Sequence, residues 1–185
     1  MNNYENFQDD INNKCISVPP WCCCLCCLCC FSKEKNNIIF LDVDGVLNSI
    51  KTKERFEGVI GLDNDLVNKL SLIIKKTNAL VVISSTWRLS DLRKRKLINT
   101  LNEYNIKVIG STIDFSITGE EDRVDEIFNW LENNKDIKIK NWIAIDDYNL
   151  TQINSKISNS NFVKTIYDVG LTNKNVIEAI SKLNK

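Results

Sequence analysis

The chain has 185 residues, 43% of them hydrophobic and 26% charged, with 24 basic side chains balancing 24 acidic ones. That suits one globular domain with a real core, and no stretch reaches the roughly 20 consecutive apolar residues of a membrane-spanning helix. A net charge of zero argues neither for nucleic acid nor for an acidic partner, and the absence of histidine leaves chemistry to carboxylates, lysines, hydroxyls, tyrosine or thiols.

Residues 1–35 differ in character from the rest of the chain and are expected to form a disordered tail. They open with acidic Glu5, Asp9 and Asp10, pass through helix-interrupting Pro19 and Pro20, and reach WCCCLCCLCC, which holds seven of the eight cysteines. A secretory signal fits poorly, because the first residues are acidic and no small-residue cleavage site follows the run. Zinc fingers space their ligands in separated pairs, so adjacent cysteines make a poor tetrahedral site. A thiolate phosphatase needs an arginine six positions after its cysteine, and no cysteine here has one. Reversible S-acylation suits the stretch better: Cys22, Cys23, Cys24, Cys26, Cys27, Cys29 and Cys30 alternate with Leu25 and Leu28, between Trp21 and Phe31 and ahead of Lys33 and Lys35. Two or more acyl chains hold a protein stably on a bilayer, at about 0.8 kcal/mol per buried methylene. The expectation is a palmitoylated, peripheral lipoprotein at the cytoplasmic face of a membrane, the alternatives being a disordered, low-complexity tail with incidental thiols and unspecific metal capture. Residues 31–185 contain no cysteine, which suits a reducing compartment.

From Asn36 onward short apolar runs alternate with helical periodicity, the pattern of βαβ units. Strands are predicted at Ile38–Leu41, Leu80–Ile83, Ile106–Ile109, Trp142–Ile145 and Phe162–Ile166. Helical spacing links Leu66, Val67, Leu70, Ile73 and Ile74, then Leu97, Ile98, Leu101 and Tyr104 after a Ser90 cap. It recurs in Val124, Ile127, Phe128 and Leu131, and in Val176, Ile177, Ile180 and Leu183 after Thr172. The predicted fold over 36–185 is α/β, a doubly wound parallel sheet of about five strands. Ligands of such sheets sit beyond the carboxyl ends of the strands.

Those ends carry Asp42 and Asp44 in IIFLDVDGVLNS, Ser84 and Ser85 in LVVISSTWR, and Asp146 and Asp147 in WIAIDDY. Carboxylates so close repel one another, which makes a hard divalent cation their natural partner, Mg²⁺ fitting best. Alone, D-x-D-G is a common turn; its agreement with two other strand ends argues for a site. An EF-hand is excluded, because Gly45 is the fourth rather than sixth loop residue and Lys53 stands where the bidentate Glu belongs. Neither a Walker phosphate loop nor a G-x-G-x-x-G occurs.

These motifs resemble those of the haloacid dehalogenase (HAD) superfamily: IIFLDVDGVLN its first motif, VVISSTWR its second, Arg123 in DRVDEIFNWL its third and IAIDD its fourth. Together with the late GLT they resemble most closely the small HAD domains of Swiss-army-knife RNA repair proteins. The resemblance implies a Mg²⁺-dependent phosphatase. Asp42 would be the nucleophile and Asp44 the general acid and base, with Mg²⁺ held by Asp42, Asp146 and the Asp44 main-chain carbonyl. Asp147 would bind through water or orient Asp146. Ser84 or Ser85, Ser84 being preferred, and Arg123 would hold the phosphoryl group. Arg88 could fork onto a substrate phosphate, or Trp87 and Arg88 could be a structural tryptophan beside a surface arginine.

Only short segments separate Asp42 from Ser84 and Ile109 from Arg123, so no large cap domain is expected, and a capless site leans toward extended or macromolecular substrates. Arg93, Lys94, Arg95 and Lys96 could steer nucleic acid or acidic headgroups, or be a solvated helix face. The substrate class stays open among a polynucleotide end, a nucleotide, a phosphoprotein and a lipid phosphate. The alternative reading is a membrane-tethered phosphate-binding module that has lost turnover, against which intact Asp42 and Asp44 speak.

Overall fold

Strand β1 (Asn36–Leu41) is buried on both faces and lies at the centre of the sheet, because its continuous apolar run can only be satisfied by helices above and below. The protein's structure, a computed structural model, describes residues 35–115 and 123–185; the acylation candidates Cys22 to Cys30 and the residues 116–122 lie outside them. Around β1 stand β4 (Leu80–Ile83), β5 (Val108–Ser111), β6 (Ile139–Asp146) and β7 (Phe162–Lys164) in the order β5-β4-β1-β6-β7, every pair parallel. The chain winds outward from β1 in one direction and then returns to wind in the other, the predicted doubly wound α/β sheet.

Alternation along β1 divides the core. Ile39 and Leu41 join Leu66, Val67 and Leu70 of α1 (Asn64–Thr77), Leu97 and Leu101 of α2 (Asp91–Glu103), and Ala179 and Leu183 of α5 (Asn173–Leu183). Ile38 and Phe40 face the other way, onto Val124, Ile127 and Trp130 of α3 (Arg123–Asn133) and Leu150 of the short α4 (Leu150–Ile153). Phe40 packs edge-on against Trp130 and Trp142, at centroid distances of 5.4 and 5.7 Å. Truncating it to alanine would cost about 3–5 kcal/mol.

The caps follow local rules. Ser90 accepts from the Arg93 N–H, as the sequence predicts, and Thr172 and Asn175 satisfy each other's backbone at the start of α5. The GLT motif is scaffold: Gly170 has φ +73°, and a Cβ there would lie 2.5 Å from a Leu66 methyl. Leu171 N–H donates to the Val46 carbonyl, joining this segment to the loop after β1.

A hairpin and the helix α4 have no counterpart among the predicted elements. Arg55–Phe56 (β2) and Val59–Ile60 (β3) pair antiparallel around Glu57 and Gly58, both at positive φ. Two-residue strands carry no periodicity from which to read them, and neither does the single turn of α4. Among the described residues this hairpin and α1 fill the interval between Asp42 and Ser84, leaving no large cap.

Candidate active site

The sheet's carboxyl edge brings Asp42, Asp44, Ser84, Ser85, Asp146 and Asp147 together as the strand order requires, since β1 lies between β4 and β6. Asp42 follows β1 directly, and its N–H still donates to the Ile145 carbonyl of β6 at 3.1 Å. The chain then turns. Gly45 adopts φ +70°, and a Cβ there would come within 2.9 Å of the Asp147 side chain and the Tyr167 backbone. Glycine thus lets the loop carrying Asp147 close onto the D-x-D-G turn.

Asp42, Asp146 and Asp147 each offer a carboxylate oxygen within 4.8 Å of the other two. Arg123, the first residue of α3, reaches across the edge: its Nη1 lies 2.9 Å from Asp42 Oδ1 and donates to Asp146 Oδ2 at 2.8 Å. Tyr148 N–H donates to the other Asp146 oxygen at 2.8 Å. One guanidinium therefore serves a cluster of three carboxylates.

Burial raises the Asp42 carboxyl to about 7, with Asp146 adding repulsion and Arg123 opposing both. Asp146 is raised chiefly by burial, against the pull of Arg123. Burial likewise raises the more open Asp147, against its own backbone hydrogen bond, Arg123 and Lys164. Burial disfavours the Arg123 charge, yet Asp42 and Asp146 more than offset it and hold the guanidinium above its ordinary value. Two buried carboxylates and a more open third, sharing Arg123 and the nearby Lys164, fit a hard divalent cation held by carboxylate oxygens. The fit rests on Asp42, Asp146 and Asp147. Asp44, whose main-chain carbonyl is the expected metal ligand, has its carboxylate held elsewhere: Asn48 Nδ2 donates to it at 2.8 Å and Trp87 Nε1 reaches both oxygens at 3.3 and 3.2 Å. Only its main chain remains for the role the resemblance implies.

The two serines part company. The Ser85 hydroxyl hydrogen-bonds Asp42, and Ser85 also caps the 3₁₀ turn Thr86–Leu89 by accepting from Trp87 N–H. Ser84 Oγ is buried without a hydrogen-bond partner. Ser85 is thus engaged by Asp42 and the turn, whereas the preferred Ser84 keeps a buried hydroxyl without a partner. Successive side chains at a strand end point to opposite faces, so only one serine can take the place next to Asp42.

Arg88 is not a surface arginine. Its side chain is 5% exposed, and its Nη2 donates to both Glu126 oxygens at 2.8 Å, with Asp114 at 3.8 Å. Glu126 also accepts from Thr112 Oγ1 and Phe115 N–H, which locks the segment after β5 onto α3 one turn from Arg123. Trp87 is fully buried, and its indole N–H nonetheless faces Asp44. The basic run on α2 is partly spent on the hairpin side: Arg93 pairs with Glu57 and Lys96 with Glu54.

Two residues without a sequence-predicted role also line the edge. Asn48, four positions after Asp44, holds its carboxylate, accepts from Gly45 N–H and donates to Ile60 of β3. Lys164, at the end of β7, donates to the Asp147 carbonyl at 3.1 Å. Its signal in the sequence is a lysine closing a strand, masked by the apolar residues on either side.

An acidic cluster at the ends of β1 and β6, a serine after β4 and an arginine opening α3, on a doubly wound parallel sheet, define a HAD-type domain. The chain belongs to the family described as the HAD domain in Swiss Army Knife RNA repair proteins, whose model matches residues 38–176. The match spans every site residue named above and none of the cysteine run. It places the chain among hydrolase- and phosphatase-type domains. Searches of curated proteins and of solved structures gave no significant match.

Proposed function

We propose that the protein is a Mg²⁺-dependent phosphatase that hydrolyses phosphoric monoesters through a phosphoaspartate on Asp42. The observation that carries this reading is the buried Asp42 carboxylate, in a cluster with Asp146 and Asp147 and 2.9 Å from Arg123. Bound by Asp42, Asp146 and Asp147, with the Asp44 main-chain carbonyl, Mg²⁺ would neutralise phosphate charge and keep the nucleophile ionised.

Asp42 attacks phosphorus, forming the acyl phosphate as the bond to the leaving oxygen breaks, and Asp44 gives that oxygen its proton. Asp44, now a carboxylate, takes a proton from the water that attacks phosphorus, which releases inorganic phosphate and restores Asp42. Trp87 and Asn48 fix Asp44 for both tasks. Ser85 and Arg123 supply fixed donors for the phosphoryl oxygens as their charge develops.

The family's description, which names RNA repair proteins, is what supports a polynucleotide end as substrate. We also propose that acylation of Cys22, Cys23, Cys24, Cys26, Cys27, Cys29 and Cys30 holds the protein peripherally at the cytoplasmic face of a membrane, within reach of lipid phosphates and membrane-bound phosphoproteins. Acyl-exchange labelling that finds no hydroxylamine-sensitive group on the cellular protein would end the tether.

The phosphatase reading is tested on wild type and Asp42→Asn against phosphorylated oligonucleotide ends, nucleotides, phosphopeptides and phosphoinositides. Phosphate release that needs Mg²⁺ and is lost in the variant is expected, together with a rise in melting temperature on Mg²⁺ addition that Asp146→Asn abolishes. Release from no substrate would overturn it.

A further inference from the structure

Beside Arg123 the sheet edge opens into a cleft of about 410 Å³, large enough for a small molecule. Its lining includes the apolar and aromatic side chains of Leu89, Tyr148, Leu150 and Ile153. Leu150 is buried, but Leu89, Tyr148 and Ile153 are 56%, 62% and 54% exposed, so large apolar and aromatic faces meet water around the cavity. Arg88, Asp114 and Glu126 line the cleft as well, and the Arg88 Nη2 there is already paired with carboxylates at 2.8 and 3.8 Å. Arg123 lines the cleft and also touches Asp42, with its Cζ 5.9 Å from the Tyr148 ring centroid.

We propose that this cleft is the leaving-group subsite, and that it takes an uncharged aromatic ring carried on a single phosphate ester: the base of a nucleoside monophosphate or the ring of an aryl phosphate. The inference rests on the phosphatase reading above. Because Arg123 belongs to both places, a phosphoryl group held at Asp42 and Arg123 directs the group attached to it into the cleft. A ring there stacks on Tyr148 and removes the surfaces of Leu89 and Ile153 from water. Asp114 and Glu126 also line the cleft, so a second phosphate entering it meets like charge, which selects against diphosphates.

The test measures kcat and KM on a nucleoside monophosphate, phenyl phosphate, glycerol phosphate and a nucleoside diphosphate, for wild type, Tyr148→Ala and Ile153→Ser. Comparing one ester between wild type and variant cancels its intrinsic reactivity. Tyr148→Ala is expected to lose roughly tenfold to a hundredfold in kcat/KM on ring-bearing esters, mainly through KM, and several-fold less on glycerol phosphate. Ile153→Ser shifts the same ratio by a smaller factor. A loss on the nucleoside ester alone assigns the site to a base, and a loss on both assigns it to any ring. Equal losses on all esters, or a diphosphate turned over as well as the monophosphate, would overturn the proposal. Calorimetric binding of the nucleoside monophosphate to Asp42→Asn, with and without Tyr148→Ala, separates the two readings. Absent turnover with Tyr148-dependent binding sinks the phosphatase alone, and binding indifferent to Tyr148 sinks the subsite.

Discussion

Arg123 and Arg88 each stand among carboxylates at the same sheet edge, and the two clusters settle their charge differently. Arg88 holds both Glu126 oxygens through its Nη2, and Glu126 is completed by Thr112 and the Phe115 N–H, so that in this wing the carboxylate is satisfied by the protein's own donors. Arg123 is shared between Asp42 and Asp146, with Asp147 beside them. There the positive charge falls short, and the imbalance appears as carboxyl groups raised by burial and mutual repulsion. Two clusters of similar composition thus differ: one fixes α3 and the segment after β5, the other keeps carboxylates that could hold a cation.

The sharpest way to separate the wings is to disable one carboxylate in each. Asp42→Asn should reduce phosphate release by a factor on the order of 10⁴ or more while leaving the fold intact, measured as single-turnover rate and circular dichroism. In the Arg88 wing, Glu126→Ala leaves a buried guanidinium without its partner and should lower unfolding free energy by about 3–5 kcal/mol in urea titrations. Asp147→Asn should leave the cation-free protein as stable or slightly more so, because the charge it removes is disfavoured there. Equal destabilisation by both substitutions would erase the distinction.

Acidity offers a second separation. With Asp42 at about 7 in the folded, cation-free protein against an ordinary 3.8, the folded chain holds a proton in that window that the unfolded chain has released. The resulting stability is full below pH 3.8 and is lost as pH rises through about 7. Asp42→Asn should flatten that slope in urea titrations across the window, and an unchanged slope would remove Asp42 as its cause. The smallest effect concerns Asp44: Trp87→Phe removes the indole donor, and kcat should fall about fivefold to tenfold while KM holds. A change in KM alone would make Trp87 merely a core residue.

Much of this was legible in the sequence for definite reasons. Apolar runs such as IIFL and LVVI announce strands covered on both faces, and a sheet of that kind places Asp42, Asp146 and the serines at one edge. What stayed hidden depends on partners distant in sequence. Nothing around Arg88 announces Glu126, which is 38 positions away, and nothing in the basic run of α2 announces that Glu54 and Glu57 of the hairpin segment would face it. Ser84 and Ser85 are equivalent as letters, and only the face each occupies at the end of β4 puts Ser85 against Asp42.

The central claim is that the under-compensated wing holds a nucleophile, and trapping the covalent intermediate tests it most directly. Enzyme mixed with substrate and Mg²⁺, acid-quenched within one turnover and digested, should yield a hydroxylamine-labile phosphoryl group on the peptide containing Asp42, missing from Asp42→Asn. Steady phosphate release with no labelled Asp42 peptide at any quench time would contradict the account.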